Sequence, residues 1–310
     1  MKIAFLDSAH PSLRLNLEKS GFECIDFNDI HKENAAGLLQ DVSGIIIRSR
    51  FVIDSALIDA LPKLKFIARV GAGMENIDWK YGESKGVRCL NAPEGNRNAV
   101  AEQALGMLLA LMNNLVKADR EVRAGKWIRE GNRGYELSGK TIGIVGYGNT
   151  GQAFAKILRG FDVELLVYDK YLADYGDSFA IRSDMDSIFS KADIVSLHLP
   201  LTEETTYLVG RDFINQFRKP FYLINTSRGR CVKTADLVEG LKNEKIRGAA
   251  LDVLEFESVS FEHIGEIPPA LDYLLHSDQV VLSPHIAGWT HESHQKMADI
   301  LYHKIMGLFQ

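Results

Sequence analysis

One stretch constrains the fold more than any other: Thr141-Ile-Gly-Ile-Val-Gly-Tyr-Gly-Asn-Thr-Gly151. The apolar run 141–145 reads as a buried strand. Gly146, Gly148 and Gly151 follow at G-x-G-x-x-G spacing, and residues 152–159 read as a helix. A second apolar run, 163–168, ends in Asp169. Gly146 permits the tight strand-to-helix turn, Gly148 lets a pyrophosphate approach the backbone, and Gly151 lets helix and strand pack closely. The helix N-terminus, entered through Tyr147, Asn149 and Thr150, then faces the phosphates. Asp169, about 20 residues on, is placed to accept hydrogen bonds from a ribose diol. Its carboxylate repels a 2′-phosphate, and Lys170 is the only cation beside it, so NAD is expected rather than NADP.

An upstream run makes a useful contrast. Residues 65–70 are strand-like and lead into Gly71-Ala-Gly73-Met-Glu-Asn76, which lacks the third glycine. No second strand ending in an acid follows at the right distance. This is not a dinucleotide fingerprint, but its backbone N–H groups suit a small anion.

The 310 residues suffice for two domains. A net charge of -5 leaves no electrostatic footprint for nucleic acid or acidic membranes. Cys24, Cys89 and Cys231 are odd in number and widely spaced, which indicates neither a zinc site nor a disulfide framework. Cys231 reads as a small apolar filler. The opening run reaches Asp7 after only a few apolar residues, too short for a signal peptide and suited to a first strand. No apolar run approaches membrane-spanning length. A reducing, cytoplasmic compartment is expected.

Strand-like runs at 2–6, 22–26, 44–47, 65–70 and 87–90 alternate with helix-like runs at 12–19, 55–60 and 78–85. A long helix is expected over 99–123. Six further strands follow at 141–145, 163–168, 193–197, 221–225, 249–253 and 280–282, the count of a complete dinucleotide-binding domain. Residues 255–277 lack clear periodicity and read as an ordered surface excursion. Residues 290–308 read as one amphipathic helix, with Ile300, Leu301, Ile305 and Leu308 at helical spacing. That helix is expected to return to the first domain. The domains are therefore 1–98 plus 286–310, and 99–285, with ligands expected in the cleft between them.

In open α/β sheets ligands sit outside the carboxyl ends of the strands. The polar groups there are His198 with Leu199 and Pro200, then Thr226, Ser227 and Arg228, then Asp252, Glu255 and Glu257, and finally Ser283 and His285. A cation, a carboxylate and an imidazole beside a nicotinamide suit carbonyl reduction. His285 would donate the proton to the developing alkoxide and recover it in the oxidation direction. An acid on its other ring nitrogen would fix the tautomer, and spacing leaves Glu255 and Glu257 both eligible. Arg228 would grip a substrate carboxylate and polarise the adjacent carbonyl.

Several segments together resemble the D-isomer-specific 2-hydroxyacid dehydrogenases over essentially the whole chain. They are Asn91-Ala-Pro-Glu-Gly-Asn, Val100-Ala-Glu-Gln-Ala-Leu, Leu137-Ser-Gly-Lys-Thr-Ile-Gly-Ile-Val-Gly-Tyr-Gly, His198-Leu-Pro-Leu-Thr, Asn225-Thr-Ser-Arg-Gly, Gly248-Ala-Ala-Leu-Asp-Val and Ser283-Pro-His-Ile-Ala-Gly. The resemblance implies two doubly wound parallel-sheet α/β domains, a flavodoxin-like substrate domain and a Rossmann cofactor domain. It implies Arg228, Glu257 and His285 as the catalytic set, choosing Glu257 over Glu255 by its place five residues after Asp252. It sets Asp252 against the nicotinamide carboxamide, and Thr226 and the backbone around His198 against the cofactor. Leu199, Pro200, Thr205, Ser227, Ala287 and Gly288 join that cofactor lining. Ala72 and Gly73 become N–H donors to the substrate carboxylate, and a homodimer through the second domain is implied.

Two features depart from the family pattern. Ser258 stands where a proline commonly follows the catalytic acid, and the loop 255–277 is unusual. The regulatory domain found at the C-terminus of some phosphoglycerate dehydrogenases is expected to be absent. Arg48-Ser49-Arg50 resembles the Arg-Ser-Arg of some 3-phosphoglycerate dehydrogenases, where such arginines face the substrate phosphate. This makes 3-phosphoglycerate and 3-phosphohydroxypyruvate, in serine synthesis, the expected pair, ahead of glyoxylate, hydroxypyruvate or another unphosphorylated acid. A non-enzymatic, NAD-sensing regulatory protein on the same fold is the rival reading. Formate-dehydrogenase-like activity is disfavoured, because that branch resembles a Gln–His pair. His291 and His294 read as a solvated helix start rather than a metal site. Trp289 is expected either to cover the cleft or to pack between domains.

Overall fold

The computed structural model describes residues 1–257 and 267–309. The chain divides into two compact units. One comprises Met1–Arg97 with 289–309, and the other 98–257 with 267–288.

The first unit holds five parallel strands, β1 (Lys2–Phe5), β2 (Glu23–Asp26), β3 (Gly44–Ile47), β4 (Phe66–Arg69) and β5 (Arg88–Leu90), ordered β2-β1-β3-β4-β5. This is the flavodoxin-like order, whose switch point lies between β1 and β3. The inner strands Gly-Ile-Ile-Ile and Phe-Ile-Ala-Arg are buried throughout, apolar as a doubly covered sheet requires except for Arg69, which donates to the Arg48 carbonyl and Asn76. The terminal helix His291–Met306 packs in this unit, burying Met297, Ala298, Leu301 and Ile305 with Ile3, Phe5, Leu13 and Leu17. Thr290 and Ser293 close a reciprocal capping pair at its start.

The second unit holds seven parallel strands. They are β6 (Lys140–Val145), β7 (Val163–Tyr168), β8 (Ala180–Arg182), β9 (Ile194–Leu197), β10 (Phe221–Asn225), β11 (Ile246–Leu251) and β12 (Val280–Leu282). Their order, β12-β11-β10-β9-β6-β7-β8, is a dinucleotide-binding sheet with one added edge strand. Its switch point, between β6 and β9, brings the Gly-rich turn beside His198.

The structure corrects three expectations. The sheet has seven strands rather than six: β8 is three residues on an edge, two of them exposed, too short to show a period. The helix expected over 99–123 is two helices, Pro93–Met112 and Leu115–Arg123, bent by 62° at a break where Asn114 takes φ 53. Within the aperiodic stretch, Pro269–His276 is a helix with Pro at its start, where the missing N–H costs nothing. Ser258 and the remainder of that stretch through residue 266 lie outside the described residues. No single helix among the described residues is long and apolar enough to cross a membrane. Nor do three or more His, Cys, Asp or Glu side chains gather there as a metal site.

Candidate active site

The Gly-rich turn is built by close approaches. Gly146 has φ 93, and a Cβ on it would lie 2.3 Å from the carbonyl oxygen of His198. A Cβ on Gly151 would lie 2.1 Å from the carbonyl of Gly146. Around Gly148 nothing lies within 4 Å of such an atom. Two glycines thus serve the chain's own packing, and the third keeps a face open. Gly148 caps the helix Asn149–Leu158 without a side chain, leaving its first N–H groups to a ligand.

Asp169 is half-buried. One carboxylate oxygen accepts from the Tyr147 N–H (2.8 Å), the other from the N–H groups of Tyr171 (2.9 Å) and Leu172 (3.0 Å). The acid is therefore clamped at the end of β7, and Lys170 beside it is ion-paired with Glu204. Across the switch point, His198 is buried, and its ring nitrogens meet Ser196 and Thr150. Thr205 folds its own loop, donating to the carbonyl of Pro200 at 2.6 Å. Leu199 packs beside Gly146. The Thr226 hydroxyl is buried with no hydrogen-bond partner among the described residues, a cost that a bound polar group would relieve. An open backbone at Gly148, uncapped N–H groups, a fixed carboxylate and an orphaned hydroxyl fit a dinucleotide.

Three loops at the carboxyl ends of β10, β11 and β12 carry the ionisable groups. After β10, the fully buried Asn225 organises the turn: its Oδ1 accepts from the Ser227 N–H and hydroxyl, and its Nδ2 donates to the Arg228 carbonyl at 2.9 Å. Ser227 thus serves the turn itself. The Arg228 guanidinium donates to the Ser227 carbonyl at 2.7 Å. Behind it, a Cβ on Gly229 would sit 1.9 Å from the Leu254 carbonyl oxygen, so this backbone lies directly against the loop after β11.

That loop separates the two acids. Glu255 accepts from the Thr234 N–H at 2.9 Å, at the start of the helix Thr234–Lys242, a favourable place for a carboxylate. Glu257 instead reaches His285, with 2.7 Å between Oε2 and Nδ1, while its other oxygen accepts from the Leu254 N–H. His285 takes φ 56, unusual for a residue with a Cβ. Asp252 holds it there. The Asp252 carbonyl accepts from the His285 N–H (2.7 Å), and its carboxylate accepts from the Ser283 hydroxyl (2.5 Å) and the N–H groups of Ile286 (2.9 Å) and Ala287 (2.8 Å). Burial raises the Asp252 carboxyl above its ordinary range. Both its oxygens thus shape the turn through Ala287 that leads to Gly288. With Nδ1 turned to Glu257, proton exchange falls to Nε2.

In the first unit, Asp7 accepts through one oxygen from the N–H groups of Arg48 (2.8 Å), Ser49 (2.9 Å) and Arg50 (3.0 Å). The Arg50 side chain donates to the Leu6 carbonyl and lies 3.4 Å from Asp7. Arg48 lies over the Trp289 ring, 4.7 Å from its centroid. The N–H groups of Ala72 and Gly73 have no partner among the described residues, so this turn retains anion-binding capacity. Sequence reasoning left Asp7, Asn225 and Ser283 without roles. The signal for Asn225 was present, an Asn at a strand end before Thr-Ser-Arg-Gly.

A family model described as D-isomer specific 2-hydroxyacid dehydrogenase, NAD binding domain, matches residues 105–287. The chain belongs to this family. It is 32% identical over 303 residues to a hydroxypyruvate reductase of Thermotoga maritima, covering 97% of this chain and 94% of that one. It is 32% identical over 308 residues to a D-3-phosphoglycerate dehydrogenase of Methanocaldococcus jannaschii, covering 98% of this chain but 57% of the relative. Among solved structures, an acyclic imino acid reductase in complex with NADPH and D-Arg superposes with a TM-score of 0.86 at 25% identity, covering 100% of this chain and 97% of the other. As a member of the family, this D-2-hydroxyacid dehydrogenase is an NAD-dependent enzyme acting on a CH–OH group.

Proposed function

We propose that this dehydrogenase interconverts a short 2-keto acid and its D-2-hydroxyacid, with His285 as acid–base, Glu257 as its orienting carboxylate and Arg228 as the group that polarises the carbonyl. The observation that carries this reading is the 2.7 Å contact between Glu257 and His285 Nδ1, on the sheet edge where Arg228 also emerges. Bound NADH supplies the hydride. His285 Nε2 delivers a proton to the alkoxide oxygen, and the Glu257 carboxylate stabilises the imidazolium that does so. Arg228 draws charge onto the carbonyl oxygen. In the first unit, the N–H groups of Ala72 and Gly73 offer a seat for the substrate carboxylate.

For the rest of the substrate we propose an anionic tail, as in 3-phosphohydroxypyruvate, facing Arg48. A specific observation favours a second reading, glyoxylate or hydroxypyruvate. The three N–H groups that would cradle a phosphate at 48–50 already serve the Asp7 carboxylate, which also sits beside Arg50. A panel of 3-phosphohydroxypyruvate, hydroxypyruvate, glyoxylate and pyruvate, followed by NADH oxidation, separates the two. Under the first reading Arg48→Ala raises KM for the phosphorylated acid about tenfold or more, the worth of a hydrogen bond to a charged group, and leaves glyoxylate nearly unchanged. Equal effects on both substrates would rule out the anionic-tail reading. Absence of turnover with every acid, with NADH still bound, would favour the NAD-sensing alternative.

We also infer a homodimer through the second unit. Leu115, Val116, Val122, Trp127, Ile128 and Tyr135 are exposed along one short stretch, Trp127 at 81%. So much apolar surface fits a protein partner. Trp127→Glu is expected to shift sedimentation from dimer to monomer, and a monomeric wild type would refute the assignment.

A further inference from the structure

The buried His198 bridges two elements that meet at the cofactor end of the second unit. Its Nε2 lies 2.9 Å from the Ser196 hydroxyl on β9, and its Nδ1 lies 3.2 Å from the Thr150 hydroxyl in the first turn of Asn149–Leu158. Its ring also packs on Phe154, four residues after Thr150, at a centroid distance of 5.5 Å. Positions four apart share a helix face, so one face of the helix holds the ring twice. Burial pushes the imidazole down to about 3, which leaves it neutral near pH 7.

A neutral imidazole has one N–H and one bare nitrogen, and the surroundings decide which is which. Ser196 is wholly buried. Among the described residues, the sole acceptor within reach of its hydroxyl proton is His198 Nε2. Were Nε2 protonated, the Ser196 proton would be buried and unsatisfied, a costly arrangement. Nε2 is therefore the acceptor and Nδ1 carries the hydrogen, donating it to Thr150 Oγ1. Thr150 receives a hydrogen bond and has its own proton to give. The residue is partly exposed, and no other group among the described residues takes that proton.

We infer that the Thr150 hydroxyl donates to a phosphate oxygen of the bound dinucleotide, and that His198, its tautomer set by Ser196, is the positioning residue that aims it. The inference rests on the dinucleotide reading of the Gly-rich turn. It adds a side-chain donor to the backbone N–H groups of that helix start, and makes the Ser196–His198–Thr150 chain, buried at Ser196 and His198 and partly open at Thr150, part of cofactor binding.

The test measures Kd for NADH and for ADP-ribose, which keeps both phosphates and lacks nicotinamide, by fluorescence and calorimetric titration. Thr150→Val is expected to weaken both about tenfold, the lower range for a hydrogen bond to a charged group. Thr150→Ser should restore most of the affinity. Wild-type affinity in Thr150→Val, or a loss for NADH without a loss for ADP-ribose, would overturn the phosphate contact. Nitrogen-15 spectra of the NADH-bound protein should show His198 protonated at Nδ1 and bare at Nε2, and the opposite tautomer would overturn the relay. If the wild type binds neither ligand, the dinucleotide reading itself fails, and this inference fails with it.

Discussion

His285→Ala is expected to lower kcat/KM by about a thousandfold while NADH binding survives, within the usual range for losing a general acid–base. The side chain is held at both ends: its backbone by Asp252, its ring by Glu257. The substitution removes the proton donor and leaves the Glu257 carboxylate without its partner. Because the Gly-rich turn and Asp169 belong to other loops, cofactor affinity should change little. Arg228→Ala should behave alike, losing on the order of a hundredfold or more as transition-state charge goes unstabilised. Steady-state kinetics with a fluorescence Kd for NADH checks both. Near-normal turnover in either variant would remove that residue from the reaction.

Gly229→Ala is expected to be as damaging as deleting a catalytic side chain, although it adds only a methyl group. That methyl would overlap the Leu254 carbonyl, an atom of backbone that no rotamer change can move. The loop bearing Arg228 and the loop bearing Glu257 must then part. The cost is expected at about 2 to 4 kcal/mol of stability, toward the upper end for a single substitution, with a loss of kcat beyond what thermal unfolding explains. Thermal melts and kinetics read the two losses separately. A variant with wild-type melting and turnover would show that the two loops need not touch.

The sequence carried the parallel α/β architecture because central strands are uninterrupted apolar runs. Gly44–Ile47 and Phe221–Asn225 lie where their composition puts them, as do Val163–Tyr168, broken only by the exposed Glu164, and the short edge strand Val280–Leu282. β8 escaped notice because three edge residues hold no period. The break between Pro93–Met112 and Leu115–Arg123 escaped because Asn113 and Asn114 sit in a run without proline or glycine, and only the backbone shows the left-handed turn. At the site, strand-end placement was enough to nominate Arg228 and His285. Spacing could not divide Glu255 from Glu257, since both follow β11 in one loop. What separates them is long-range: one meets a helix start 21 residues earlier, the other a histidine 28 residues later. Asp7, Asn225 and Ser283 act on backbone and neighbouring carboxylate groups, and short polar residues announce such duties weakly.

The bonds from Asp7 to the loop at 48–50 have a consequence for how this enzyme could be retargeted. They are made to main-chain N–H groups, so the loop's course depends first on the acid just after β1, with the Arg50 side chain adding a bond to the Leu6 carbonyl. Position 48 behaves as a socket. Exchanging its side chain gives up the contact with Trp289 but keeps the Asp7 bonds to the backbone, so substrate preference is expected to drift there while the acid–base machinery of the second unit stays as it is.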